Sequence, residues 1–156
     1  MDVADERAMA ALFDDLYARH GRIDMLVHGA GLIEDTFFEK KTAWSLDRVF
    51  DTKVDAAFLM AKLVRPESLR AVCFFTSVAG RYGNRGQTDY AMANETLNRF
   101  AWDLARAWPH VAVKAINWGP WGQTTTGAGM VTEDVRAQFL ARGIGMVEAV
   151  PGRDFF

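Results

Sequence analysis

Tyr90, Ser77, Lys53 and Asn94 are the side chains whose types and spacing point to chemistry on a carbonyl. Tyr90 lies thirteen residues after Ser77 and thirty-seven after Lys53, and opens the run Tyr90-Ala91-Met92-Ala93-Asn94. Tyr90 and Asn94 are four apart, so on a helix they share one face and can act jointly. A hydride arriving at a ketone carbon turns the carbonyl oxygen into an alkoxide, and such a site needs a proton donor and a second hydrogen-bond donor. Tyr90 suits the first task and Ser77 the second. A phenol has an ordinary pKa of about 10, and a neighbouring cation lowers a pKa by roughly 1–3 units. Lys53 is the expected cation, with Asn94 holding Lys53 or a water in a proton relay. Singly, each residue has an ordinary explanation: a packing tyrosine, a turn or cap serine, a solvated helix lysine. Their conjunction is what carries the chemical reading.

The elements that must position them follow from apolar periodicity. Ala8 to Arg19 reads as an amphipathic helix, with Met9, Leu12, Phe13, Leu16 and Tyr17 at helical spacing and His20-Gly21 as its stop. Asp24 to His28 reads as a short strand, Gly29 to about Lys41 as a loop, and Trp44 to Val64 as a long helix ended by Arg65-Pro66. Ala71 to Thr76 is apolar on both faces, as a strand covered by helices on each side should be. Gln87 to Trp108 is the next helix, Val111 to Asn117 a third strand and Glu133 to Arg142 a last short helix. The alternation predicts βαβ units and a parallel sheet. Trp44, Trp102 and Trp108 are expected to pack in the core or between helices, and His28, at the end of an apolar strand, is expected to be a structural hydrogen-bonder.

Composition bounds the function. The chain has 156 residues, one domain at most, with half its residues apolar and a quarter charged, which is ordinary for a globular protein. A formal charge of −2 gives no electrostatic case for nucleic acid or an anionic membrane as partner. The single Cys73 excludes an internal disulfide framework, no zinc spacing is present, and no metal is expected. No apolar run approaches the ~20 residues of a membrane span, and Met1 to Ala10 is too acidic for a signal peptide. The expected location is the cytoplasm.

His28-Gly29-Ala30-Gly31, Lys53, Thr76-Ser77, Tyr90 to Asn94 and Asn117-Trp118-Gly119-Pro120-Trp121 together resemble the ketoreductase domain of type I polyketide synthases and polyunsaturated fatty acid synthases, within the short-chain dehydrogenase/reductase superfamily. The resemblance runs from Asp2 to about Phe156. Many superfamily members place the lysine four residues after the tyrosine; these ketoreductases carry Asn there and the lysine on the preceding helix, as Asn94 and Lys53 stand here. The resemblance implies a Rossmann-like α/β fold with a parallel sheet and flanking helices. It also implies that residues 1–156 form only the catalytic part of the domain, without the first three strands, the glycine loop or the final strand. In the family's strand order the strand at Asp24 to His28 would then be an edge, so self-association is expected.

Further roles come from the same resemblance. Gly29-Ala30-Gly31 reads as the turn that backs the cofactor ribose, since a G-x-G-x-x-G loop would need a third glycine and an immediate helix. Asp2-Val3 match a pair that contacts adenine. Asn117 to Trp121, with the run from Gly122 to Gly127, resemble the loop and lid over nicotinamide and substrate, so Pro120 and Trp121 join Gly29, Ala30, Gly31, Lys53 and Tyr90 as cofactor contacts. Ile33-Glu34-Asp35 stand where relatives giving a (3R)-hydroxy product carry Leu-Asp-Asp, and Tyr82 stands where the opposite class has Trp, so Asp35 and Tyr82 bear on stereochemistry. The implied activity is NADPH-dependent reduction of a β-ketoacyl thioester tethered to an acyl carrier protein, with the chain alone expected to bind NADPH weakly and to be inactive. Partners implied are the missing N-terminal half or neighbouring synthase domains. Two alternatives stay open: a stand-alone alcohol dehydrogenase or reductase of a free ketone, and a non-catalytic structural or docking module.

Overall fold

The computed structural model describes residues 2–122 and 133–156, and divides into two compact units, Met1–Asn117 and Trp118–Phe156. In the first unit, α1 (Glu6–His20) is followed by β1 (Met25–His28), α2 (Ala43–Leu63), β2 (Ala71–Ser77), a short α3 (Val78–Tyr82), α4 (Thr88–Ala107) and β3 (Ala112–Trp118), the last residue of which opens the second unit. The strand order is β1-β2-β3. β1 and β2 run parallel, with Met25 beside Ala71 and His28 beside Phe74. The α/β architecture with a parallel sheet and flanking helices is the one the sequence predicts.

Local chemistry sets the helix limits. Asp5 caps α1, accepting from the amides of Arg7 and Ala8, and Gly21 ends it in a left-handed conformation at φ 72°, a geometry glycine adopts without steric cost. Thr42 caps α2 by accepting from Ser45 N–H at 3.1 Å, a contact worth about 1 kcal/mol. Four short elements escape apolar periodicity: α3, five residues long, 3₁₀ turns at Phe38–Lys40 inside the expected loop and at Pro66–Ser68, and a helix at Ala149–Phe155 beyond the one expected to be the last.

The core draws on both helices and sheet: Met9, Phe13 and Tyr17 of α1, Ala57 and Met60 of α2, Val72 and Phe74 of β2, and Leu97, Ala101 and Leu104 of α4. Burial of Leu97 or Phe74 contributes roughly 1.5–3 kcal/mol each. α4 packs against α2, α3 and β2, which places its first turns beside the C-terminal end of β2. Two tryptophans depart from expectation. Trp44 is 64% and Trp102 68% exposed; each instead lies beside a guanidinium, Arg48 at 4.5 Å and Arg99 at 5.7 Å from the ring centroid. Their helical spacing is that of a core stripe, but cation–π contact lets an indole stay at the surface.

The second unit holds α5 (Glu133–Ala141) and α6 (Ala149–Phe155). α6 starts with Pro151 inside its first turn, where proline's missing N–H is tolerated. Trp121 forms a parallel bridge with Val147, and Gly122 N–H donates to Val147 O at 2.9 Å. Gly152 is required by close approach: a Cβ there would lie 2.4 Å from the Trp121 ring. Among the described residues no helix is long and apolar enough to cross a membrane.

Candidate active site

Ser77 ends β2 and caps α3, its Oγ accepting from Ala79 N–H at 3.1 Å. The ordinary and the chemical readings of Ser77 therefore coexist: the cap uses an oxygen lone pair and leaves the hydroxyl hydrogen free to donate. α3 can lie against α4 because residue 80 is glycine. A Cβ on Gly80 would come within 3.0 Å of both Asn94 Cβ and Glu95 N.

Asn94 is fully buried one turn into α4 from Tyr90, and its Nδ2 donates to Tyr90 O at 2.7 Å. Its Oδ1 is buried with no partner, an acceptor turned toward nothing in the protein, a condition that costs about 1–3 kcal/mol. Lys53, on the buried face of α2, is 4% exposed and donates from Nζ to Phe75 O at 2.9 Å. Burial lowers its pKa from 10.5 to about 8. Its ammonium lies 6.0 Å from the centroid of the Tyr90 ring. Behind it, His28 is 1% exposed and donates from Nε2 to Lys53 O at 2.9 Å. Burial lowers the His28 pKa to about 4, so the ring is neutral at physiological pH and works as the structural hydrogen-bonder expected.

Tyr90 differs from expectation in one respect. Burial raises the phenol's pKa, with Asp35 adding to the rise, while the side chains of Ser77 and Asn94 pull it back. Lys53 is not the group that offsets the burial. The anticipated lowering by a cation gives way to desolvation as the largest effect; Lys53 Nζ lies 6.0 Å from the ring centroid and donates to Phe75 O. A phenol raised in this way remains protonated at neutral pH, the state an acid requires.

The other predicted residues are placed as follows. Gly31 sits over Lys53: a Cβ there would meet Lys53 Cε at 3.0 Å and Nζ at 3.4 Å. Gly29 faces the Phe75 ring, which a Cβ would touch at 3.5 Å, and Ala30 is half-buried between the two glycines. Asp35 accepts from Gln87 Nε2 at 2.8 Å, and burial raises its pKa. Tyr82 is 88% exposed at the end of α3 and is not drawn into the cluster. Asp2 is exposed and accepts from Ala4 N–H at 3.0 Å, while Val3 packs on the core. Pro120 and Trp121 belong to the second unit, where Pro120 O accepts from Val147 N–H at 2.8 Å and Trp121 lies edge-on to Trp118 at 4.9 Å. Most of the expected lid, residues 123–127, lies outside the described residues.

Sequence reasoning missed the polar belt around Tyr90. Lys41 and Asp89 form an ion pair at 2.6 Å with each side chain 2% exposed, and Gln87 reaches Asp35 across fifty-two positions. The one local signal was Asp89 itself, an acid in the first turn of α4, where the helix dipole favours it. Among the described residues no group of three or more His, Cys, Asp or Glu could hold a metal ion.

The fold is the short-chain dehydrogenase/reductase type of α/β protein. The family model described as the KR domain matches residues 1–123. The chain is 37% identical over 134 residues to a polyunsaturated fatty acid synthase protein of a Thraustochytrium species, covering 86% of this chain and 4% of that protein. It is 34% identical over 144 residues to the pikromycin polyketide synthase component PikAII of Streptomyces venezuelae, covering 91% of this chain and 4% of the relative. Among solved structures, the ketoreductase from the first module of phoslactomycin biosynthesis in a Streptomyces species superposes with a TM-score of 0.86 at 30% identity, over 99% of this chain and 34% of that one. A ketoreductase domain from the bacillaene assembly line gives 0.83 at 29% identity, over 99% and 38%. The chain belongs to the KR domain family, an oxidoreductase family. It spans about a third of the length of these two solved chains and a few percent of the two synthase proteins.

Proposed function

We propose that this chain carries the proton-transfer half of a ketoreductase site that reduces a β-ketoacyl thioester to a (3R)-hydroxyacyl thioester. The observation that carries the reading is the convergence of Tyr90, Ser77, Lys53 and Asn94 from α4, β2 and α2 onto one locus, with an unpartnered acceptor at Asn94 Oδ1. The likeness to polyketide and polyunsaturated fatty acid synthases supports this reading; the substrate proposed is an acyl chain on a carrier protein, with neighbouring synthase domains as partners.

A reduced nicotinamide fits the residues present: Gly31 bears no side chain over Lys53, so a flat ring or a ribose could approach the ammonium. Its chemistry when bound is delivery of a hydride to the ketone carbon; NADPH is the form proposed. Lys53, Tyr90, Gly29, Ala30 and Gly31 would hold it. Tyr90 then donates its phenolic proton to the ketone oxygen, and Ser77 donates a hydrogen bond to the same oxygen, stabilising the charge that develops there. Lys53, whose ammonium lies 6.0 Å from the Tyr90 ring centroid, would orient the cofactor beside the phenol, while the side chains of Ser77 and Asn94 favour the phenolate that Tyr90 leaves behind. Asn94 Oδ1 can accept from a water or from Lys53 as the phenol regains its proton. Asp35, linked to Gln87, is assigned to the choice of ketone face.

Tyr90→Phe tests the assignment. In the complete ketoreductase domain, removing one hydroxyl should lower turnover of a diketide thioester by about 10²–10⁴-fold with native folding, and chiral chromatography of the product of the unsubstituted domain should show the (3R) alcohol. A near-native rate in Tyr90→Phe would refute the role of Tyr90, and a (3S) product the role of Asp35.

A further inference from the structure

The loop that carries Asp35 is fastened to the helix that carries Tyr90. Thr36 N–H donates to Gly86 O at 3.0 Å, with Gly86 at φ 82° to turn its carbonyl there. Gln87 Nε2 donates to Asp35 Oδ2 at 2.8 Å and is itself held by Asn84 at 3.0 Å. The third fastening is of another kind. Lys41 Nζ reaches Asp89 Oδ2 at 2.6 Å and donates to Glu34 O at 2.6 Å, while Asp89 Oδ1 accepts from Tyr90 N–H at 2.8 Å. One ammonium thus ties both ends of the loop, Glu34 and Lys41, to the residue that precedes Tyr90.

Stability alone does not account for this pair. Its charges are 2% exposed on each side, and desolvating two charges commonly offsets their attraction, so a buried pair of this sort often contributes less than apolar residues of equal volume. What such a pair does supply is a single geometry, since each partner is costly to leave alone. The geometry it fixes here is the distance from Asp35 to the first turn of α4.

We propose that Lys41 and Asp89 are positioning residues, a buried clamp that holds the Asp35 loop against Tyr90 and thereby sets which face of the ketone meets the hydride. The inference rests on the reductase reading above, and it assigns the stereochemical outcome to a pair that touches neither substrate nor cofactor. Asp35 and Gln87 form the surface that a substrate would meet; Lys41 and Asp89 keep that surface in register.

The test uses the double variant Lys41→Met with Asp89→Leu, which removes both charges and keeps side-chain volume, and the near-isosteric Asp89→Asn. Two readouts are taken: amide hydrogen exchange of residues 34–41 by mass spectrometry, and, in the complete ketoreductase domain, the ratio of the two hydroxy products with kcat and KM. In the double variant, exchange at 34–41 should speed up by roughly tenfold or more while the amides of β2 stay protected, as a local rather than global opening requires. The minor alcohol should rise by about tenfold and KM should change more than kcat, the split given by loss of binding that ground state and transition state share while the acid stays in place. Asp89→Asn should show the same changes to a smaller extent and serves alone if the double variant does not fold. Native exchange at 34–41 in the folded variants would overturn the clamp, and faster exchange with an unchanged product ratio would overturn its stereochemical role. Failure of the reductase reading is recognised separately, by native turnover in Tyr90→Phe, and leaves the exchange measurement intact.

Discussion

Lys53→Met should make the stability of the protein less dependent on pH between neutrality and pH 10.5 while removing the charge that the proposed site would use. Burial pulls the Lys53 ammonium from 10.5 to about 8, and at about 1.4 kcal/mol per pKa unit this is roughly 3 kcal/mol held against the charged form in the folded protein. The side chain is 4% exposed, so solvent screening removes little of this. Between pH 8 and 10.5 the unfolded chain keeps a proton on residue 53 that the folded protein has released, so stability contributed by this residue rises with pH across that window. Below about pH 8 the cost is present in full; above 10.5 it is gone. In Lys53→Met the cost is absent at every pH. Urea unfolding of both proteins at several pH values from 7 to 10.5 isolates it, because every other titrating group is common to the two. The difference in unfolding free energy, native minus variant, should rise by about 3 kcal/mol across the range. Curves that stay parallel would refute the claim that Lys53 is held in the fold at a thermodynamic cost, and with it the view that function places the lysine there.

Three further outcomes follow from close packing and exposure. Gly80→Val should push α3 off α4 where a Cβ already meets Asn94 and Glu95 at 3.0 Å; expected are a loss of about 1–3 kcal/mol in urea unfolding and a fall in turnover as Asn94 shifts. Gly152→Ala, with its Cβ 2.4 Å from the Trp121 ring, should leave α1 to α4 protected in hydrogen exchange and speed exchange in α6. Met25 and Val27 stand 49% and 41% exposed on β1, at the edge of the described sheet, and unprotected apolar edges pair with one another; light scattering should find association that Val27→Lys reduces.

The helices and strands were legible because their signals are local. Gly21 stops α1, Pro66 follows α2, and the apolar run of β2 reads directly as a covered strand. The proximity of the four proposed site residues could be anticipated for the same reason: three of them lie within eighteen positions of one another and two share a helix face. What stayed hidden depends on distance in sequence. Lys41 and Asp89 are forty-eight positions apart, and neither a lysine after a 3₁₀ turn nor an acid in a helix's first turn announces a partner. Trp44 and Trp102 misled because helical spacing records which face a residue occupies but not whether a guanidinium already covers it.

Buried polar groups are not spread evenly through the fold. Among the described residues the polar or charged residues buried as a whole are His28, Lys53, Thr76, Asp89, Asn94 and Asn98, and the side chain of Lys41 is buried beside Asp89. His28 holds the backbone of Lys53, Asp89 holds the amide of Tyr90, Asn94 holds its carbonyl, and Thr76 precedes Ser77. Five of the six therefore crowd the end of β2, the buried face of α2 and the first turns of α4, and three of those five keep an orphaned polar atom, His28 Nδ1, Thr76 Oγ1 and Asn94 Oδ1. A core that is apolar along most of α1, α2 and α4 breaks its own rule mainly at one locus, with Asn98 and its unpartnered Oδ1 lying further along α4. Folding alone gives no reason for such a concentration, since each unsatisfied group costs about 1–3 kcal/mol. Local departure from packing consistency of this kind is where function is expected to sit, and here it coincides with the residues whose spacing first pointed to a carbonyl.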